Sequence, residues 1–186
     1  MKRAWVAVTA AALLLTACSN DRSTAEDAVV LTSSDAGGVQ DSGIPVNRNS
    51  TGAAFPAVTI TDATGAKVQT ASLVGTPLVV NLWFSACPPC KKELPAFAAV
   101  ATQYAGKVRF VGVNTLDEDA GAQFARNLGV QYELLRDLDG ELTTALHLTS
   151  YPVTVFVRAD GTIAAQTGPL DEATLRSTIE TKLVGG

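Results

Sequence analysis

Two cysteines three residues apart, with two prolines between them, occupy the centre of the segment WFSACPPCKKELP at residues 83–95. Sulfur in this spacing can clip a metal, tether a haem, staple a loop, or cycle between dithiol and disulfide. Structural zinc takes four ligands, usually two such pairs or one pair with two histidines. This chain has three cysteines and a single histidine, His147. Covalent haem attachment requires a histidine directly after the second cysteine, where Lys91 stands. A permanent staple across two residues removes little entropy from the unfolded chain. The surroundings favour a redox pair, with the static disulfide as its rival.

Those surroundings are a strand running into a helix. The stretch TPLVVNLWF, residues 76–84, is a continuous apolar run of the kind found in strands covered on both faces. The helix that follows places Cys87 at its N-cap and Cys90 at its third helical position. Free N–H groups and the positive end of the helix dipole favour a thiolate at Cys87, the form that attacks disulfides. Pro88 and Pro89 fill the first two helical positions, where a missing N–H costs least. Pro89 also removes a donor that an N-cap sulfur would otherwise use, leaving the Cys90 N–H. The expectation is a moderately acidified Cys87 and a fairly reducing couple.

The elements around the pair follow from periodicity and turn chemistry. Short strands are expected at residues 57–61 and 67–69, joined by a turn at 62–65. The strand before the pair and its helix, running to about Tyr104 with a kink at Pro95, come next. A second apolar strand (KVRFVGVN), an amphipathic helix ending at Gly129, a short strand (QYELLRD) and a short helix (GELTTALHL) follow. A hairpin turning at 159–161 and a closing helix capped by Asp171 end the chain. The order β-β-β-α-β-α-β-α-β-β-α predicts an α/β domain over 53–186, a mixed central sheet with helices on both faces.

The N-terminus reads differently. Lys2 and Arg3 precede an apolar run from Ala4 to Leu15, shorter than the roughly 18 residues a spanning helix needs. This describes a secretory signal over 1–17. The sequence LTAC at 15–18 resembles a bacterial lipobox, which implies cleavage before Cys18 and a lipid on its sulfur. Residues 18–52, rich in Ser, Asp, Gly, Asn and Thr, read as a flexible tether with a reach of about 30 Å. The formal charge of −4 offers no basic footprint for nucleic acid. Export would place the cysteines where no thiol buffer keeps them reduced.

The segment VVNLWFSACPPCKKELP, with SYPVTVFV at 150–157, resembles the thioredoxin superfamily, and more narrowly its membrane-tethered TlpA/ResA/CcmG-like branch of thiol–disulfide oxidoreductases. The resemblance implies a thioredoxin-like fold with an extra N-terminal β-hairpin and calls for no cofactor. It implies that Cys87 is the attacking, more exposed thiol and Cys90 the buried resolving one. Glu93 matches an acid that this branch places near the pair and would handle the proton of resolution. Pro152 would be a cis-proline facing the disulfide, with Tyr151 before it. Trp83, as core or cleft wall, and Pro88 and Pro89 complete the expected substrate-binding set. Asn81 stands where cytoplasmic thioredoxins carry a buried aspartate, and Ala86 where an aromatic residue usually precedes the first cysteine.

By the same resemblance the partners are exported protein disulfides, apocytochrome c foremost. A membrane thiol carrier would be the electron donor, and a lipid anchor would hold the protein at the extracytoplasmic face of the cell membrane. An oxidant that installs disulfides, a peroxide-reducing redoxin and a binding lipoprotein with a static disulfide are the alternatives.

Overall fold

A computed structural model describes residues 46–117 and 120–185. The signal segment, Cys18 and the tether as far as residue 45 lie outside the described residues. The described residues form one seven-stranded mixed sheet in the order β2-β1-β5-β4-β3-β6-β7. Its strands are β1 (Thr59–Asp62), β2 (Lys67–Gln69), β3 (Leu78–Trp83), β4 (Arg109–Asn114), β5 (Glu133–Arg136), β6 (Val153–Val157) and β7 (Ile163–Thr167). The helices are α1 (Pro88–Gln103), α2 (Ala120–Asn127), α3 (Glu141–Ala145) and α4 (Glu172–Ile179), the last continued by one wider turn over Glu180–Val184. The expected order of elements and the thioredoxin-like α/β class are both present, with β1 and β2 as the added hairpin at one sheet edge. Among the described residues no helix is long and apolar enough to cross a membrane.

β3, β4 and β5 run parallel, so their C-terminal ends share one edge of the domain; β6 is antiparallel to β3 and begins at that same edge. Every residue of β3 is buried, as a strand covered on both faces requires. Leu78, Val80 and Leu82 enter a core with Val111, Val113, Val155 and Leu142 of α3. On the opposite face Val79 packs with Phe97 and Val100 of α1 and with Leu175 and Ile179 of α4. Trp83 packs there with Leu94 of α1 and Ala125 of α2.

Local chemistry sets the element ends. The Thr174 N–H donates to Asp171 Oδ1 at 2.8 Å, capping α4. Asp62 Oδ1 accepts from the Thr64 and Ala66 N–H groups and closes the first hairpin. β1 starts at Thr59 rather than 57, because the Val58 N–H donates to Thr70 Oγ1 instead of joining a ladder. α1 continues through Pro95, which removes one N–H from its ladder.

Residues 46–52, expected within the tether, are hydrogen-bonded to the domain. The Gly52 N–H donates to the Ile163 carbonyl at 2.8 Å, Gln166 Nε2 to the Arg48 carbonyl at 2.7 Å, and the Ser50 N–H to Gln166 Oε1 at 3.2 Å. These are polar contacts to the β7 edge, which a low apolar content does not reveal.

Gly112 sits opposite Asn81 across the β3–β4 ladder. A Cβ there would lie 2.8 Å from Leu134 Cδ2 and 3.2 Å from both Trp83 Nε1 and Tyr132 Cε2. Gly112→Ala should therefore cost about 1–3 kcal/mol by overpacking, measured by chemical denaturation; an unchanged midpoint would contradict this close packing.

Candidate active site

The buried β3 delivers the chain through Phe84, Ser85 and Ala86 to Cys87, the N-cap of α1. Pro88 and Pro89 are its first two helical residues, exposed and without N–H groups. The Cys90 N–H therefore points at the Cys87 sulfur and donates to it at 3.2 Å. Cys87 and Cys90 are joined as a disulfide. Cys87 keeps 4% of its surface exposed and Cys90 none. The order of exposure is the one the resemblance implies, although Cys87 is nearly covered in this oxidised form.

Glu93 lies one helical turn beyond Cys90 on the inward stripe of α1, with Leu94, Phe97 and Val100. It is 4% exposed, a rare setting for a carboxylate. Asn81 Nδ2 donates to its Oε1 at 2.8 Å, and the Leu170 N–H donates to its Oε2 at 3.1 Å. Asn81 Nδ2 also reaches Thr154 Oγ1 at 3.2 Å, which ties β3, β6 and the carboxyl together. Burial disfavours the charged form and outweighs these two hydrogen bonds, so the Glu93 pKa is pushed up from 4.5 to about 7. An acid poised there can hold or release a proton near neutral pH.

Tyr151 and Pro152 precede β6 at the same edge, and the peptide bond between them is cis. The Tyr151 ring meets Phe84 edge-on, with centroids 5.7 Å apart, and its hydroxyl lies 3.0 Å from Thr143 Oγ1. Trp83, expected in the substrate-binding set as core or cleft wall, is fully buried and stacks on Phe124 at 6.0 Å. It lies beneath the site, because β3 is covered on both faces and α1 and α2 close over this one. Lys91 and Lys92 are exposed, and Lys91 Nζ sits 5.8 Å from the Phe124 ring centroid. His147 is exposed with a φ of 52° and belongs to a turn after α3.

Two polar clamps escaped the sequence reading. Asn47 Oδ1 accepts from the Thr149 N–H at 2.6 Å and the Ser150 N–H at 3.0 Å, while its Nδ2 donates to the Ser150 carbonyl at 3.0 Å. It thus holds the turn that leads into Tyr151. Asp117 accepts from the Ser85 N–H at 2.6 Å and from Ser85 Oγ at 2.5 Å, and so holds the segment leading into Cys87. In sequence each is signalled only by a short Asn or Asp side chain outside the regular elements, and that pattern is common.

Two outcomes test this geometry. A carboxyl whose folded pKa lies above its unfolded value stabilises the fold fully below the unfolded pKa and loses that contribution as pH rises through the folded one. The oxidised protein should therefore lose up to about 3 kcal/mol between pH 5 and pH 8, and Glu93→Gln should flatten that slope; equal slopes in denaturation curves would refute the burial argument. Asn47→Ala should destabilise by about 1 kcal/mol and speed hydrogen exchange selectively at the Thr149 and Ser150 amides.

The chain is similar to several known proteins. The thiol:disulfide interchange protein DsbE of Pseudomonas fluorescens is 33% identical over 135 residues, covering 70% of this chain and 74% of that protein. The thiol-disulfide oxidoreductase ResA of Bacillus subtilis is 26% identical over 127 residues, covering 67% of this chain and 71% of ResA. The soluble secreted antigen MPT53 of Mycobacterium tuberculosis is 36% identical over 105 residues; the match covers 56% of this chain and spans 60% of that relative's length. The crystal structure of a secreted Mycobacterium tuberculosis disulfide oxidoreductase homologous to DsbE superposes with a TM-score of 0.60 at 30% identity, covering 67% of this chain and 95% of that one. The AhpC/TSA family matches residues 51–166, and the chain belongs to that family with a thioredoxin-like fold.

Proposed function

We propose that this protein is an extracytoplasmic thiol–disulfide oxidoreductase that works through Cys87 and Cys90. The observation that carries the reading is the disulfide itself: its outer sulfur is the N-cap of α1 and accepts the Cys90 N–H. The Tyr151–Pro152 turn at the same edge and the buried carboxyl of Glu93 on α1 support the same chemistry. Relatives named as a thiol-disulfide oxidoreductase and a thiol:disulfide interchange protein add weight.

In the reduced protein the Cys87 thiolate attacks one sulfur of a partner disulfide. A mixed disulfide forms, and the partner's other sulfur leaves as a thiolate. The Cys90 thiol gives up its proton, with Glu93 as the nearby acceptor, and its sulfur attacks Cys87. The second partner sulfur leaves and the Cys87–Cys90 bond closes. Two electrons pass to the partner, and an external dithiol must return them. The first-turn N–H favours the Cys87 thiolate, while the missing donors at Pro88 and Pro89 limit that effect.

The direction is reduction of selected exported proteins, apocytochrome c foremost, with electrons from a membrane thiol carrier. A signal over residues 1–17 and a lipid on Cys18 would hold the domain at the extracytoplasmic face of the membrane. These finer statements rest on the resemblance of the CPPC segment and of the N-terminal LTAC sequence to known families.

Cys87→Ser should lower disulfide exchange to background, whereas Cys90→Ser should retain the first attack and accumulate covalent adducts identifiable by mass spectrometry. The Cys87 pKa should lie nearer about 7 than about 3.5, and the potential against glutathione well below about −120 mV. A potential at that oxidising end would reverse the assigned direction. A bond that dithiothreitol leaves intact would instead favour a binding protein with a static disulfide, and rapid peroxide consumption would favour a peroxide-reducing redoxin.

A further inference from the structure

We propose that Asn47 is a positioning residue for partner binding, holding the turn ahead of Tyr151 so that an extended protein segment can lie against the Cys87–Cys90 disulfide. The proposal rests on the oxidoreductase reading. It assigns to the segment ahead of β1 a part in favouring protein disulfides over small-molecule ones.

The turn between α3 and β6 meets the redox pair through one side chain. Tyr151 packs against the cluster that contains Cys87 and Cys90. Phe84 meets its ring edge-on, and Thr143 Oγ1 holds its hydroxyl. Those contacts locate the ring and leave the main chain ahead of it to other partners. His147 opens the turn at a φ of 52°, a region that L-residues enter rarely and at a cost. Such a turn keeps its shape only where its surroundings hold it. Asn47 supplies that hold from outside. Its Oδ1 accepts from the Thr149 and Ser150 N–H groups, and its Nδ2 donates to the Ser150 carbonyl. Both polar main-chain groups of Ser150, the residue before Tyr151, are thus fixed by a single amide, which carries an acceptor and a donor together. The Arg48 N–H adds a bond to the His147 carbonyl at 3.3 Å.

A clamp holds only if its own base is fixed. Phe55 is buried in the core, and Ala54 bridges to Thr162. The Phe55 N–H donates to the Gly161 carbonyl at 2.8 Å. Nearer Asn47, the Gln166 amide on β7 takes the Arg48 carbonyl with one end and the Ser50 N–H with the other. β7 pairs with β6, the strand that Pro152 leads into. The turn is therefore tied to the sheet twice, along the chain and across through Asn47. The hydrogen bonds of Asn47 go to this turn and not to Cys87, Cys90 or Glu93. Its loss acts on where a partner lies and leaves the sulfur chemistry alone. A small disulfide has only to reach Cys87, whereas a peptide must also align along the turn.

The test compares two substrates of the pre-reduced protein in single turnovers. One is an alanine-flanked heptapeptide whose central cysteine is capped as a glutathione disulfide, and the other is bis(2-hydroxyethyl) disulfide. In each case the protein dithiol gives two electrons and closes its own disulfide, the substrate leaves as two thiols, and these are quantified after acid quench. Asn47→Ala should lower the ratio of the peptide rate constant to the small-disulfide rate constant about tenfold. Asn47→Asp keeps both acceptor bonds and loses the donated one, so its ratio should fall between those of Asn47→Ala and the unaltered protein. Gln166→Ala, which frees the base of the clamp, should lower the ratio partway. The ratio within one variant is unaffected by a general loss of active protein. An unchanged ratio in Asn47→Ala or in Gln166→Ala, or an Asn47→Asp no better than Asn47→Ala, would each overturn the proposal while leaving the oxidoreductase reading intact. Failure of the unaltered protein to reduce either substrate would instead overturn the oxidoreductase reading and this proposal with it.

Discussion

The first turn of α1 has backbone N–H groups that no helical carbonyl can satisfy, and the Cys87 sulfur sits where one of them points. Everything at this edge depends on keeping that helix start in place. β3, buried along its whole length, fixes where the chain emerges. The inward stripe of α1, from Cys90 through Glu93 to Val100, fixes how the helix lies on the sheet. Moving the helix would strip a donor from the sulfur and open the core at the same time. Reactivity at the surface and packing below it are thus one constraint.

Glu93 shows what this costs. An inward position on a core-facing helix ordinarily holds an apolar residue, and here it holds a carboxyl. Asn81 and the Leu170 N–H satisfy two of its acceptor sites, yet burial still raises its pKa to about 7. A leucine in its place would pack without that penalty and could not exchange a proton. Local stability is reduced where this carboxyl is buried, and the same burial brings its pKa near neutrality.

Two side chains from distant parts of the chain brace the loops on either side of the disulfide. Asp117, just after β4, holds the segment entering Cys87, and Asn47, ahead of β1, holds the turn entering Tyr151. Loops carry function only when a scaffold positions them. In this protein each loop takes its position from one short polar side chain with two or three hydrogen bonds.

Much of the site was legible because it is local. A continuous apolar run, an N-cap cysteine, two prolines and a second cysteine lie within 15 consecutive residues from 76 to 90, and helix and strand periodicity act over that range. Element order followed from the same short-range patterns, as did the Asp171 cap. The sequence alone therefore determined that the pair stands at a helix start after a buried strand, and the class of fold around it. Only the tertiary structure decided that Glu93 faces inward against Asn81 rather than water, and that Trp83 lies beneath the site. It also decided that residues 46–52 join the domain through hydrogen bonds to β7. Each of these depends on hydrogen bonds or packing between residues far apart in the chain, and no local pattern encodes which distant partner a polar side chain will meet.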